Sequence, residues 1–170
     1  MAGRRSKLLI LVAFYFAYLA ARGIEDLLLH DQSAGYIVHA NVGLLPHYLG
    51  ASIALTALAA ASAVLLWKRH PLGLYIGLVT LALGLVEFLL ELEVWASDLD
   101  LAKQAYAINR SARGFPIAPG LLDEMFTPTG IYVVRTVALW MTGLPILLLL
   151  VGWSRSSPAR RVGLPPSSSF

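Results

Sequence analysis

The chain has 170 residues, enough for one modest domain, and 58% of them are hydrophobic while 14% are charged. A soluble domain carries roughly 25% charged residues, so a mean hydropathy of +0.70 excludes an ordinary water-soluble globule and makes lipid the solvent for much of the surface. No cysteine is present, which excludes disulfides, thiolate metal sites and thiol redox chemistry; the four-span disulfide-forming and vitamin K epoxide reductase families and claudin-like proteins, all of which need cysteine pairs, go with them.

A bilayer core about 30 Å thick takes roughly 20 apolar residues in a helix. Residues 8–29, 48–67, 72–94 and 131–153 meet that length. Arg4, Arg5 and Lys7 precede the first span, Lys68 and Arg69 lie between the second and third, and Arg155, Arg160 and Arg161 follow the fourth. These three segments share one side and contain no Asp or Glu. All 10 acidic residues fall in the opposite loops or at the opposite ends of the spans. The positive-inside rule makes the basic side cytoplasmic. The net charge of +3 therefore speaks to orientation in a cell (inner) membrane, and no nucleic-acid partner is expected. A rival reading takes Arg4–Ala17 as the start of a signal peptide cleaved after Ala21, which would leave three spans.

Between the first two spans, His30 to His47 carries Gly, Asn and Pro turn signals and reads as a short outer loop. Lys68-Arg69-His70-Pro71 is tight enough to make the second and third spans antiparallel neighbours. Residues 95–130 form the one sizeable extramembrane segment. Ser97 with Asp100 signals an N-cap, and Asp98–Arg113 reads as a helix. Leu99, Ala102, Ala105, Tyr106 and Ala112 lie toward one side, and Lys103, Arg110 and Arg113 make it basic. Pro116, Pro119 and Gly120 break the chain. Leu121–Phe126 adds a turn of helix, and Thr127-Pro128 restarts the chain into the fourth span. The loop helix reads as a cap on the membrane surface, with a lid or docking surface as the alternative. Asn109-Arg110-Ser111 fits a glycosylation sequon. Residues 155–170, ending Pro165-Pro166-Ser167-Ser168-Ser169, read as a disordered cytoplasmic tail.

The third span carries the most informative pattern. Gly73, Gly77, Thr80, Gly84, Glu87 and Glu91 recur at spacings of 4, 3, 4, 3 and 4, so they share one helical face. Gly73, Gly77, Thr80 and Gly84 read as helix packing, with Gly73-x-x-x-Gly77 the close-approach motif of membrane helices. Ser52, Thr56, Ala59 and Ala63 of the second span and Ala13, Ala17 and Ala21 of the first offer small faces to meet it. Charges within a span cost about 2.5–3.5 kcal/mol each and are expected to face inward and pair. Arg22, Glu25, Asp26, Glu87, Glu91 and Arg135 form the expected cluster, with Arg22 reaching Glu25 or Asp26 and Arg135 reaching Glu87 or Glu91. The six leave a surplus of negative charge. Either the cluster fixes the bundle near headgroup water, or a carboxylate carries a proton, or Glu87 and Glu91 bind a cation.

His30, His39 and His47 lie on the same side as these carboxylates and are, with Glu87 and Glu91, the metal candidates, since His and carboxylate suit zinc, iron or copper. Their spacings of 9 and 8 residues match no metal motif. Nucleophile elbow, phosphate loop and dinucleotide fingerprint are absent, so no cofactor is assigned. Trp67, Trp95 and Trp153 mark span ends like an interface belt. The chain resembles small four-span membrane proteins as a class, without a motif that carries any residue's role across. The expected fold is all-α: an integral membrane four-helix antiparallel bundle, residues 1–154, with a helical outer loop. The expected role is that of a non-catalytic accessory subunit or assembly factor, partnered by the lipid bilayer and by a membrane protein or a second copy of itself. Its alternatives are a proton- or ion-coupled carrier using the Glu/Arg cluster and a membrane enzyme with a His/Glu metal site.

Overall fold

The computed structural model describes residues 7–156, save the side chains of His30, Arg155 and Ser156. Arg4, Arg5, Arg160, Arg161 and residues 157–170 of the expected tail lie outside the described residues. The described chain is helical throughout: α1 (Lys7–Leu28), a 3-10 turn (His30–Gln32), α2 (Ala34–Asn41), α3 (Leu45–Trp67), α4 (Leu72–Ser97), α5 (Leu99–Ala112), α6 (Leu121–Met125) and α7 (Pro128–Ser156). Four of these, α1, α3, α4 and α7, are long and apolar enough to cross a membrane. Each ends within three residues of the span read from the sequence.

One element departs from the expectation. The segment from His30 to His47 is not a loop, because it contains the 3-10 turn and the whole of α2. Eight residues are too few to hold a helix by propensity. α2 is held by packing, with Ala34 and Val38 buried against Ala102 and Ala105 of α5. The cap of α5 also moves by one residue. Asp98, rather than Ser97, caps it, its carboxylate accepting from the Leu101 N–H at 2.9 Å. Ser97 instead donates back to the Val94 carbonyl.

Three helix ends use one device, a left-handed residue followed by a backbone bond reaching back five positions. Gly43 (φ 75°) closes α2 with Leu44 N–H on His39 O at 2.9 Å, and Gly114 (φ 69°) closes α5 with Phe115 N–H on Arg110 O at 3.0 Å. Between α3 and α4 the same place is taken by Arg69 (φ 58°), with His70 N–H on Leu65 O at 2.8 Å. This is the inner turn that the sequence marked by Pro71. Thr127 caps α7, its hydroxyl accepting from Gly130 N–H at 3.0 Å.

The four long helices form a ring in which α1 packs on α3 and α7, and α4 packs on the same two. α1 and α4 share no comparable interface. Toward the basic end the ring is filled by Phe16, Val12 and Leu9 of α1 with Leu66, Leu81 and Leu149. Close backbone approach makes this possible. Gly73 lies against the Leu65–Leu66 backbone, Gly77 against the Phe16 ring and Leu149, and Gly152 against Leu8 and Leu9. Small residues at such crossings let helices gain dispersion contact without any water-driven force. Ser62 and Thr80 meet at 3.2 Å inside this core, and each hydroxyl also lies 2.7 Å from a carbonyl one turn back in its own helix. On α1 the buried small residues are Ala13 and Ala20, whereas Ala17 and Ala21 are exposed.

At the other end α2, α5 and α6 form a cap with its own small core, where Val38, Ala102, Ala105 and Phe126 meet Trp95 and Tyr106. The apolar face of α5 is thus spent on α2. The outward faces of the long helices stay apolar and bare, and Trp140 of α7 is 76% exposed.

Candidate functional site

The small-residue stripe of α4 changes character along its length. Gly73, Gly77 and Thr80 are buried in contacts, but a Cβ placed on Gly84 would meet nothing within 4 Å. Gly84 was expected to pack and instead borders open space. From there to the cap lies a half-open cavity of about 1010 Å³. It runs from Ala59 and Thr80 up to Arg110 and Arg113, about 16 Å along α4 between Thr80 and Glu91. α1, α2, α3, α4 and α5 supply its wall, and no described residue of α7 lines it.

Charge is concentrated at the cap end. Arg22 pairs with Glu25 one turn along α1. Arg113 comes down from the end of α5 to bond Asp26, with its Nε 3.7 Å from Glu25. Its side chain is 8% exposed, the most buried of the paired cations here. His47 Nε2 lies 3.1 Å from Glu87. Glu91, half-buried one turn beyond Glu87, has no Lys, Arg or His within 4.0 Å among the described residues.

Arg22, Asp26, Glu87 and Glu91 line the cavity's outer end, and Glu25 pairs with Arg22 beside it. Arg135 does not join them, because it pairs with Glu93 instead. Glu93, about 200° around the helix from Glu91, reaches Arg135 of α7, and both carboxylate residues border the cavity. The vacated role goes to Arg113, which sequence reasoning left on the basic side of a surface helix. Its position at the last turn of α5, just ahead of Gly114, was the available signal.

The metal candidates disperse. His39 donates from Nδ1 to the Gly35 carbonyl at 2.8 Å and stacks on Tyr48 with ring centroids 4.8 Å apart. Tyr48 in turn bonds Ser33 at 3.0 Å, and its ring covers Gly35, which ties α2 onto α3. His47 is committed to Glu87, and the side chain of His30 lies outside the described residues. Among the described residues no three His, Asp or Glu side chains are placed to hold a metal ion. Asn109 of the sequon lines the cavity and donates to the Gln32 carbonyl at 3.1 Å, tying α5 to the 3-10 turn.

Arg110 Nε and Arg113 Nε are buried without a hydrogen-bond partner, Arg113 Nε lying 3.7 Å from Glu25, and the Trp95 indole neighbours the Glu91 carboxylate. The remainder of Arg110 is anchored, with NH2 donating to Pro116 O at 2.9 Å and the guanidinium 5.2 Å from the Phe115 ring centroid. Comparison of the chain with protein-family models, with curated proteins and with solved structures gives no match.

Proposed function

We propose that this chain is a four-span membrane protein, an antiparallel bundle with both ends in the cytoplasm, that binds a small molecule in its capped outer-side cavity. The cavity of about 1010 Å³ with an ionic outer end carries this reading, since ligand sites are concave, mostly apolar spaces of roughly 300–1,000 Å³ with a few polar groups. The orientation rests on the charge pattern. Lys68 and Arg69 lie at the α3–α4 turn, away from the cap that holds Asp98, Asp100, Asp123 and Glu124. Binding is favoured over catalysis because the titratable groups are engaged with one another, in the pairs Arg22–Glu25, Arg113–Asp26 and His47–Glu87.

An accessory subunit is the second reading. It rests on a short chain with little mass outside the bilayer and on several helix faces of small residues able to recruit another helix; Gly73 and Gly77 of α4 already meet α1, α3 and α7, while Ala17 and Ala21 of α1 stay exposed. What still favours it is α7, whose outer face leaves Tyr132, Trp140 and Met141 bare. Native mass spectrometry of the full chain, gently extracted from its host membrane, separates the two. A small molecule at stoichiometric ratio in the wild type and missing from Gly84→Phe, whose ring would project into the cavity, supports the binding reading. A partner chain with equal small-molecule content in both forms would replace it with the subunit reading.

A further inference from the structure

Resting on that binding reading, we propose that the ligand is an organic cation, with an amine-type charged centre beside Glu91 and an apolar body lying along the cavity toward Thr80. The charge of the whole cap side is the first support. All 10 acidic residues of the chain lie on that side, against five basic ones, Arg22, Lys103, Arg110, Arg113 and Arg135. With histidine neutral the cap side is strongly negative. A cleft with low-dielectric walls focuses such a field on whatever enters it, drawing cations in and turning anions away.

The pairing then singles out one carboxylate. Four of the five cations are committed, Arg22 to Glu25, Lys103 to Asp123, Arg113 to Asp26 and Arg135 to Glu93. Arg110 is held by the Pro116 carbonyl and lies against the Phe115 ring. Glu87 has His47. Glu91 lines the cavity with the Trp95 indole as its neighbour and no Lys, Arg or His within 4.0 Å among the described residues. An uncharged ligand would strip water from Glu91 and return no charge. An anionic one would add repulsion. A cationic centre answers the carboxylate. Tyr18, Tyr48, Phe88, Trp95 and Tyr106 add aromatic rings to the same wall, and ring faces attract cations.

Size and depth select an organic cation over an inorganic one. Among the described residues no three His, Asp or Glu side chains gather to hold a metal ion, and a space of about 1010 Å³ far exceeds a bare ion. Below the carboxylates the wall turns apolar, with Leu19, Leu55 and Ala59. A ligand that fills this space brings hydrocarbon as well as charge.

The test uses the purified full chain in detergent and equilibrium dialysis against three probes that share one hydrocarbon cage, adamantylammonium, adamantanol and adamantane carboxylate. The ammonium should bind one per chain, about tenfold more tightly than either of the others. Glu91→Gln keeps an acceptor for the Trp95 indole and removes the charge, so ammonium binding should fall about tenfold with the melting temperature held. Glu124→Gln removes an exposed acid of the cap and should change binding less than about twofold, because solvent and salt screen it. Gly84→Phe should abolish binding. Tighter binding of the alcohol or the carboxylate, or an ammonium affinity indifferent to Glu91→Gln, would overturn the cation; if that binding is still lost in Gly84→Phe, the binding reading stands. If none of the three probes binds, the molecule that co-purifies with the wild type and is missing from Gly84→Phe decides. A basic nitrogen in it upholds the cation, and the lack of one overturns it. Absence of any such molecule would overturn both readings.

Discussion

The two halves of this ring are built from the same helices on opposite principles. Toward the basic turn, α1, α3, α4 and α7 close on one another through glycine and bury Phe16 at the centre. Toward the cap α1 still meets α3, with Thr56 against Gly23, but a cavity bordered by charged groups and a helical cover replaces the apolar plug. A bundle needs rigidity only where it is anchored. Once the inner half is packed to the density of a solid, the outer half can hold a cavity without losing its geometry.

Substitutions within one stripe of α4 break this comparison most sharply. A Cβ on Gly73 would fall 2.9 Å from the Leu66 backbone nitrogen, which cannot yield as a side chain would. Gly73→Leu should cost about 3 kcal/mol or more, seen as loss of a monodisperse peak in detergent. Gly84→Leu, on the same face, should melt within about 1 kcal/mol of wild type because it points into open space. Equal damage from both would mean the outer half is as closely packed as the inner.

Phe16→Ala empties the inner plug and should cost about 3 kcal/mol, read as a lower midpoint on titration with denaturing detergent. Arg113→Ala should cost about 1–3 kcal/mol, because Asp26 and Glu25 lose their shared cation while remaining 34% and 39% exposed. Its signature is regional. Hydrogen exchange should rise in α5 and α2 and stay unchanged around Phe16, and uniform acceleration would show that the cap and the inner core are one cooperative unit. Smallest is Arg135→Ala, where an exposed pair with Glu93 is worth under about 1 kcal/mol. A larger loss would return Arg135 to the central cluster.

How legible these halves were in the sequence differs for a physical reason. Gly73, Gly77 and Thr80 announced themselves because packing between helices needs small residues at the helical period. Gly84 fits the same period, and nothing local distinguishes a glycine that meets a neighbour from one that faces a void. Gly23 was missed for the reverse reason. It stands alone in α1, and only the approach of Thr56 from α3 explains it.

Length and apolarity alone determined four helices able to cross a membrane, and their ends to within a turn, since each depends on residues adjacent in the chain. The same holds for the restart at Thr127-Pro128 and for the one-sided placement of acidic residues. Tertiary structure alone decided which charges pair. Arg113 and Asp26 lie 87 residues apart, and Arg135 turns to Glu93 rather than Glu91 because the rotation of α4 against α7 is set by packing along their whole length. It also decided that α2 is a helix and that the cap covers a cavity, because an unfilled space is a property of what several helices leave between them.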